Sequence, residues 1–270
     1  MIGFLRPSRV IAFSGMDGSG KSTQVALLRE HLEARGWETA AVRTRLERTT
    51  LQESDKQLER IVAPVNWLFG GARPVTEQPV PPVGDAGLYS PGPATAAARL
   101  RRRSALLTHA WVFVIAAVHA GKQRQAVRTA SAPGRVIICD RYSLDAAVGL
   151  RRRYGERHSF ALQVRVLELL SPRPLVAWHL DVPPSLARAR KDEGFSDEDL
   201  NRLVTLYWEE RKRFGWRRLD ATRPAPELAR DVAQTSEGAL RLRAPRDPAA
   251  RHRFRDLFSR LRRPTRHMRR

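Results

Sequence analysis

The chain reads as an α/β protein built on a parallel sheet. A short apolar run at residues 9–14 (RVIAFS) enters a glycine-rich turn, and residues 22–35 then follow helical spacing. Gly36 is placed to stop that helix, after which 37–43 (WETAAVR) alternates like a second strand. Two further runs, 135–139 (RVIIC) and 174–180 (PLVAWHL), each end at an aspartate, Asp140 and Asp181. Strand, glycine turn, helix, strand is the opening of a βαβ layout, in which the crossover helix makes the strands parallel.

The remaining elements follow in order. Residues 70–95 are rich in Pro and Gly without any period and read as a flexible loop or lid. A long helix is expected over 96–129. Within it, residues 104–121 contain no Asp, Glu, Lys or Arg over 18 positions, near the lower limit for a membrane span. Ser104, Thr108, His109 and His119 interrupt that stretch, and strands flank it, so it reads as a buried core helix. Ser196 is a helix cap followed by three acidic residues, 216–219 is a weak last strand, and 226–240 a last helix. Trp178, Trp208 and Trp216 are expected to pack in the core.

Composition bounds the function classes. At 270 residues and 42% apolar content the chain can build a sizeable core, which excludes wholesale disorder. Cys139 stands alone, so no internal disulfide forms; with no long apolar run in residues 1–10, the expected location is the cytoplasm. The net charge is +21, from 49 Lys+Arg against 28 Asp+Glu, yet only five of the 49 are lysines. Residues 245–270 hold ten Arg and two Asp, hence +8 of that charge. This basic tail is separated from a main domain over 1–244. Phe254, Leu257, Phe258 and Leu261 fall at i, i+3, i+4, i+7. A disordered tail and a basic helix for nucleic acid or an anionic membrane both fit that pattern.

Chemistry enters with Gly15-Met16-Asp17-Gly18-Ser19-Gly20-Lys21-Ser22, which matches G-x-x-x-x-G-K-[ST], with Thr23 next. Glycines let the backbone wrap a phosphate chain with N–H groups inward, and the following helix adds its positive end. Lys21 suits the β- and γ-phosphates, and the Ser22 hydroxyl suits Mg²⁺. A strand immediately before and a helix immediately after supply the context that the motif needs. Asp140-Arg141-Tyr142 follows the 135–139 strand, where carboxyl ends line the ligand crevice of an open sheet. There Asp140 suits a metal and Arg141 a phosphate. Residues 180–191 (LDVPPSLARARK) read as strand end, turn and short helix carrying Arg188, Arg190 and Lys191, either toward transferring phosphates or on a solvated face.

These blocks (13–23, 136–142, 180–191), with 219–232 as a fourth, resemble the thymidylate kinase family of P-loop nucleoside-monophosphate kinases. The resemblance spans roughly residues 8–242, with 44–110 poorly matched, and implies a five-stranded parallel sheet with helices on both faces. By resemblance, Gly15, Gly18, Ser19, Gly20, Lys21, Ser22 and Thr23 hold the ATP phosphates, with Mg²⁺ on Ser22 and Asp140. Asp17 and Arg141 face the acceptor, Tyr142 and His119 border it, and Arg190 matches the lid arginine. Asp220 and Ala221 border adenine. The catalytic set so implied is Lys21, Asp17, Arg141 and Arg190, acting on a small-molecule phosphate acceptor, dTMP by default. A homodimer is an open expectation.

Departures keep alternatives in view. Where the family carries a T-R-E-P-G-G-T-like segment, this chain has Thr44-Arg45-Leu46-Glu47-Arg48-Thr49-Thr50. The base-reading arginine of the family falls on or beside His119, and no arginine occurs between Arg103 and Arg124. Where one subgroup has an arginine after the P-loop acid, this chain has Gly18, which leaves the lid to supply the cation. The alternatives are a P-loop kinase of another nucleotide or sugar-like metabolite, and a non-catalytic ATP-binding module. Arg101–Arg103 and Arg151–Arg153 read either as borders of the acceptor site or as solvated helix faces.

Overall fold

A computed structural model describes residues 9–44, 104–154, 159–191 and 194–242. The 70–95 insert, the 45–50 segment, residues 96–103, the 244/245 boundary and the basic tail lie outside the described residues. The elements are β1 (Val10–Gly15), α1 (Lys21–Ala34), β2 (Thr39–Arg43), α2 (Ala105–Ala130), β3 (Val136–Asp140), α3 (Ser143–Tyr154), α4 (Ala161–Leu170), β4 (Val176–Asp181), α5 (Pro184–Arg190), α6 (Asp197–Phe214), β5 (Arg217–Asp220) and α7 (Ala225–Leu242).

The five strands form one parallel sheet in the order β2-β3-β1-β4-β5. Every residue of β1 and β3 is buried, which explains their near-continuous apolar sequences: a parallel sheet covered on both faces leaves no polar side. Helices α1 and α7 pack together on one face; α2, α3, α4 and α6 pack among themselves on the other. This is the α/β architecture of P-loop kinases. From β1 the chain runs outward to β2, whereas from β3 it crosses β1 to reach β4. The two connections diverge, and the carboxyl ends of β1 and β3 therefore flank the crevice of the sheet.

Local signals hold at most element ends. The Ser196 Oγ accepts the Asp199 N–H at 3.1 Å, and Gly215 closes α6 at φ +66° with the Trp216 N–H on the Arg211 carbonyl. Trp178 and Trp216 are buried, but Trp208 is not: it is 42% exposed, with the Lys212 ammonium 3.5 Å from its ring centre. Its ring carries a lysine ammonium over its face at the surface instead of filling the core.

The reading of residues 104–121 as a buried core helix holds for one side of it. Ser104 caps α2 through the Leu107 N–H, and Trp111, Val112, Ile115 and Ala116 pack against Ala147 and Leu150 of α3 and Val164 and Leu167 of α4. The opposite side is apolar yet open, with Leu106 79%, Phe113 42% and Val114 47% exposed. Successive residues of a helix point about 100° apart, and α2 buries the side that meets α3 and α4. Among the described residues this is the helix long and apolar enough to cross a membrane by length and composition. Ile115→Ala is expected to cost about 2–5 kcal/mol by denaturant unfolding, and Leu106→Ala within about 0.5 kcal/mol. Equal costs would show that α2 does not seat as described.

Candidate active site at the carboxyl ends of β1 and β3

The glycine-rich turn leaves β1 and delivers its residues to the first turn of α1. Gly20 is the N-cap of that helix and offers no side-chain cap, so the leading N–H groups and the helix dipole are directed at the crevice. Ser19 is buried, and its N–H returns to the Met16 carbonyl at 3.2 Å, which closes the loop on itself. Lys21 is buried with its Nζ 2.7 Å from the Gly15 carbonyl, 2.6 Å from that of Met16 and 3.9 Å from Asp17. Burial, and then the neighbouring Arg141, bring the lysine down from 10.5 to about 8, against the opposing pull of Asp145, Asp17 and Asp140.

β3 supplies the second half. The Ser22 hydroxyl donates to Asp140 Oδ2 at 2.8 Å, while Asp140 Oδ1 is buried with no hydrogen-bond partner. A hydroxyl beside a carboxylate with one oxygen unspent is a hard-cation donor set, which fits Mg²⁺. The next residue turns sharply: Arg141 has φ +70°, outside the region that a non-glycine residue favours. Three bonds hold the turn. The Arg141 N–H donates to the Phe13 carbonyl, the Thr44 hydroxyl to the Arg141 carbonyl, and the Tyr142 N–H to Asp145 Oδ2. The turn sends the guanidinium, almost fully buried, onto Asp17 of the loop.

Lys21, Ser22, Asp17, Asp140 and Arg141, five residues singled out in the sequence, therefore meet in one crevice. Thr23 follows on the exposed first turn of α1. Asp220 and Ala221 end β5 on the same edge of the sheet, with the Ala221 N–H on the Asp181 carbonyl. Asp220 is tied by the hydroxyl and N–H of Thr222, which hold its carboxyl below the usual range. Arg190 ends α5, exposed, without a hydrogen bond or ion pair among the described residues. Arg188 is committed instead to the Phe195 carbonyl and Asp197. Directly below α5, Gly18 has φ +79°, and a Cβ there would run into the Ala187 carbonyl oxygen. No arginine fits at that position.

Two expected acceptor residues are placed differently. The Tyr142 side chain is 1% exposed, donates its hydroxyl to the Pro172 carbonyl and lies beside Trp216. It is turned into the core because the left-handed Arg141 reverses the backbone ahead of it. His119 is buried on α2, one turn before Gln123, whose amide donates to Thr44 Oγ1. Two of the arginines at 151–153 are tied to α6 and the segment before it: Arg151 pairs with Glu209 and Glu210, and Arg152 with Asp199 while stacking on Phe195.

Sequence reasoning missed Arg43, 3.7 Å from Asp140, as well as Asp145 and Tyr207. For Asp145 a signal existed: an acid three residues after the cap position, as in a capping box. Tyr207, buried on α6, had none.

No family model matches the chain. A thymidylate kinase of Symbiobacterium thermophilum is 27% identical over 239 residues, covering 85% of this chain and 93% of that protein. A thymidylate kinase of Dinoroseobacter shibae is 26% identical over 238 residues, covering 84% and 95%. The chain is thus a distant relative of the thymidylate kinases along most of its length.

Proposed function

We propose that the protein is a nucleotide kinase that moves the γ-phosphoryl group of ATP to the phosphate of a nucleoside monophosphate, with dTMP as the acceptor. The observation that carries this reading is the meeting of the loop residues Lys21, Ser22 and Asp17 with Asp140 and Arg141 of β3. The relatives named thymidylate kinase support it over most of the chain.

Each residue then has a task. The loop N–H groups and Lys21 hold the β- and γ-phosphates, and Lys21 stays on the γ-phosphoryl oxygens as charge shifts to the leaving group. Ser22 and Asp140 would hold Mg²⁺, which supplies charge neutralisation at the phosphate oxygens when bound. Arg141 grips the acceptor phosphate, oriented by Asp17. An acceptor phosphate oxygen bonds to the γ-phosphorus as its bond to the β–γ bridging oxygen breaks, and ADP leaves. Arg190 of α5 is the cation available to close over that centre, since Gly18 provides none. Asp220 and Ala221 border the adenine ring. Positioning and charge suffice, so no nucleophile–base pair is required.

A second reading changes only the acceptor. It is favoured by the absence of arginine between Arg103 and Arg124, which leaves His119 where the family reads its base. Purified protein with Mg-ATP and a panel of nucleoside monophosphates and sugar-like acceptors separates these readings. ADP is expected to form fastest with dTMP. Faster turnover with another acceptor would establish the second reading, and ATP binding without turnover would leave a binding module.

A further inference from the structure

Asp145, in the first turn of α3, has a side chain only 9% exposed, and both of its oxygens are spent. Oδ1 accepts the Gly15 N–H at 3.2 Å and the Tyr207 hydroxyl at 2.9 Å, and it lies 3.8 Å from Arg141 Nη1. Oδ2 accepts the Tyr142 N–H at 2.9 Å. Every neighbour is a donor. An amide at this position would set a hydrogen against one of those donors.

The four contacts come from different places: the end of β1, the turn after β3, α6, and the arginine itself. Tyr207 strengthens the fixture, since its hydroxyl is also 3.1 Å from the Gly15 carbonyl and its ring stacks on His179 of β4. Capping α3 would need the Tyr142 contact alone. The others reach the entry of the phosphate loop and a guanidinium whose other terminal nitrogen meets Asp17.

We infer that Asp145 is a positioning residue: anchored on the end of β1 and on α6, it holds Arg141 in register, acting through Arg141 without touching substrate. The inference rests on the reading of Arg141 as the arginine of the acceptor phosphate. Without the carboxylate, the guanidinium loses the anion beside Nη1 and shifts toward Asp17. The phosphate it presents then moves off line with the γ-phosphorus, and a displacement of about 1 Å is enough to cost about 100-fold in rate.

The test combines kinetics with a signal from Arg141 itself. Asp145→Asn and Asp145→Ser are each made in the native and Arg141→Ala backgrounds, the serine keeping an oxygen for the Tyr142 N–H. Thermal melts accompany every variant. In the native background kcat/KM for the preferred acceptor is expected to fall about 10–100-fold, as for supporting residues elsewhere. Affinity for an ATP analogue should change less than about 3-fold. In the Arg141→Ala background the same substitutions should change turnover less than about 3-fold, the non-additivity of a coupled pair. The Arg141 Nε–H resonance, assigned by its loss in Arg141→Lys, should shift and exchange faster in both Asp145 variants. Equal losses in the two backgrounds, or an unmoved Arg141 resonance, would overturn the inference. A shifted resonance with no acceptor turned over would overturn the kinase reading and leave the placement of Arg141 by Asp145 standing.

Discussion

Lys21→Met is expected to abolish phosphoryl transfer, with kcat/KM falling at least about 10²–10³-fold, the loss seen when one preorganised charge-stabilising donor is removed. Methionine nearly matches the lysine stem in volume, so the core beneath the loop stays filled. The Gly15 and Met16 carbonyls lose a buried donor, at a cost of about 1–3 kcal/mol for groups left unpaired. Against that, the substitution relieves the burial of an ammonium next to Arg141, the two influences that lower its proton affinity. The stability change is therefore expected to be small while activity disappears. Coupled-assay rates and denaturant unfolding of the two proteins check both halves. Native turnover in the variant would refute the assignment of the phosphate site.

The same lysine sets a pH dependence. Its pKa is about 8 in the folded chain and 10.5 for a free side chain, so the folded protein releases that proton first. Between these values the unfolded chain binds more protons, and this group makes stability rise with pH from about 8 to 10.5. Activity runs the other way. The neutral amine cannot neutralise phosphate charge, so kcat/KM for ATP should decline as pH rises through about 8, a profile governed by the ligand-free enzyme.

What was legible in the sequence was what is local. Six residues between Gly15 and Ser22 fix a phosphate loop because loop and helix start are consecutive in the chain. Asp140 and Arg141 could be placed because a strand end in a parallel sheet has one destination. Tyr142 looked like a neighbour of Arg141 facing the same way, but a left-handed residue between strand and helix separates their directions. Helices α3 and α4 gave no clear signal. Nearly every residue of α3 from Ser143 to Leu150 is buried, so no polar stripe marks its period, and α4 has only ten residues. Asp145 and Tyr207 meet across 62 positions, a contact that only the packed fold creates.

Gly18→Ala is the remaining large effect, and Gly20→Ala is its control. Both glycines are left-handed, at φ +79° and +89°, so an alanine at either is strained by about 1–2 kcal/mol. They differ in what a Cβ meets. At Gly20 nothing lies within 4 Å, whereas at Gly18 the Cβ is driven into the Ala187 carbonyl oxygen of α5, a backbone atom that cannot rotate aside. The loop and α5 must then separate, which displaces the loop N–H groups and carries the Arg190 end of α5 away from them. Gly18→Ala is expected to lower kcat/KM for ATP about 100-fold, the cost of misplacing reacting groups by about 1 Å, and Gly20→Ala markedly less. Gly18→Arg should behave like Gly18→Ala and gain nothing from its charge, because its backbone cannot stay where the arginine would be useful. Equal losses at positions 18 and 20 would mean that α5 does not rest on the loop in solution, and the assignment of Arg190 as the closing cation would fall with it.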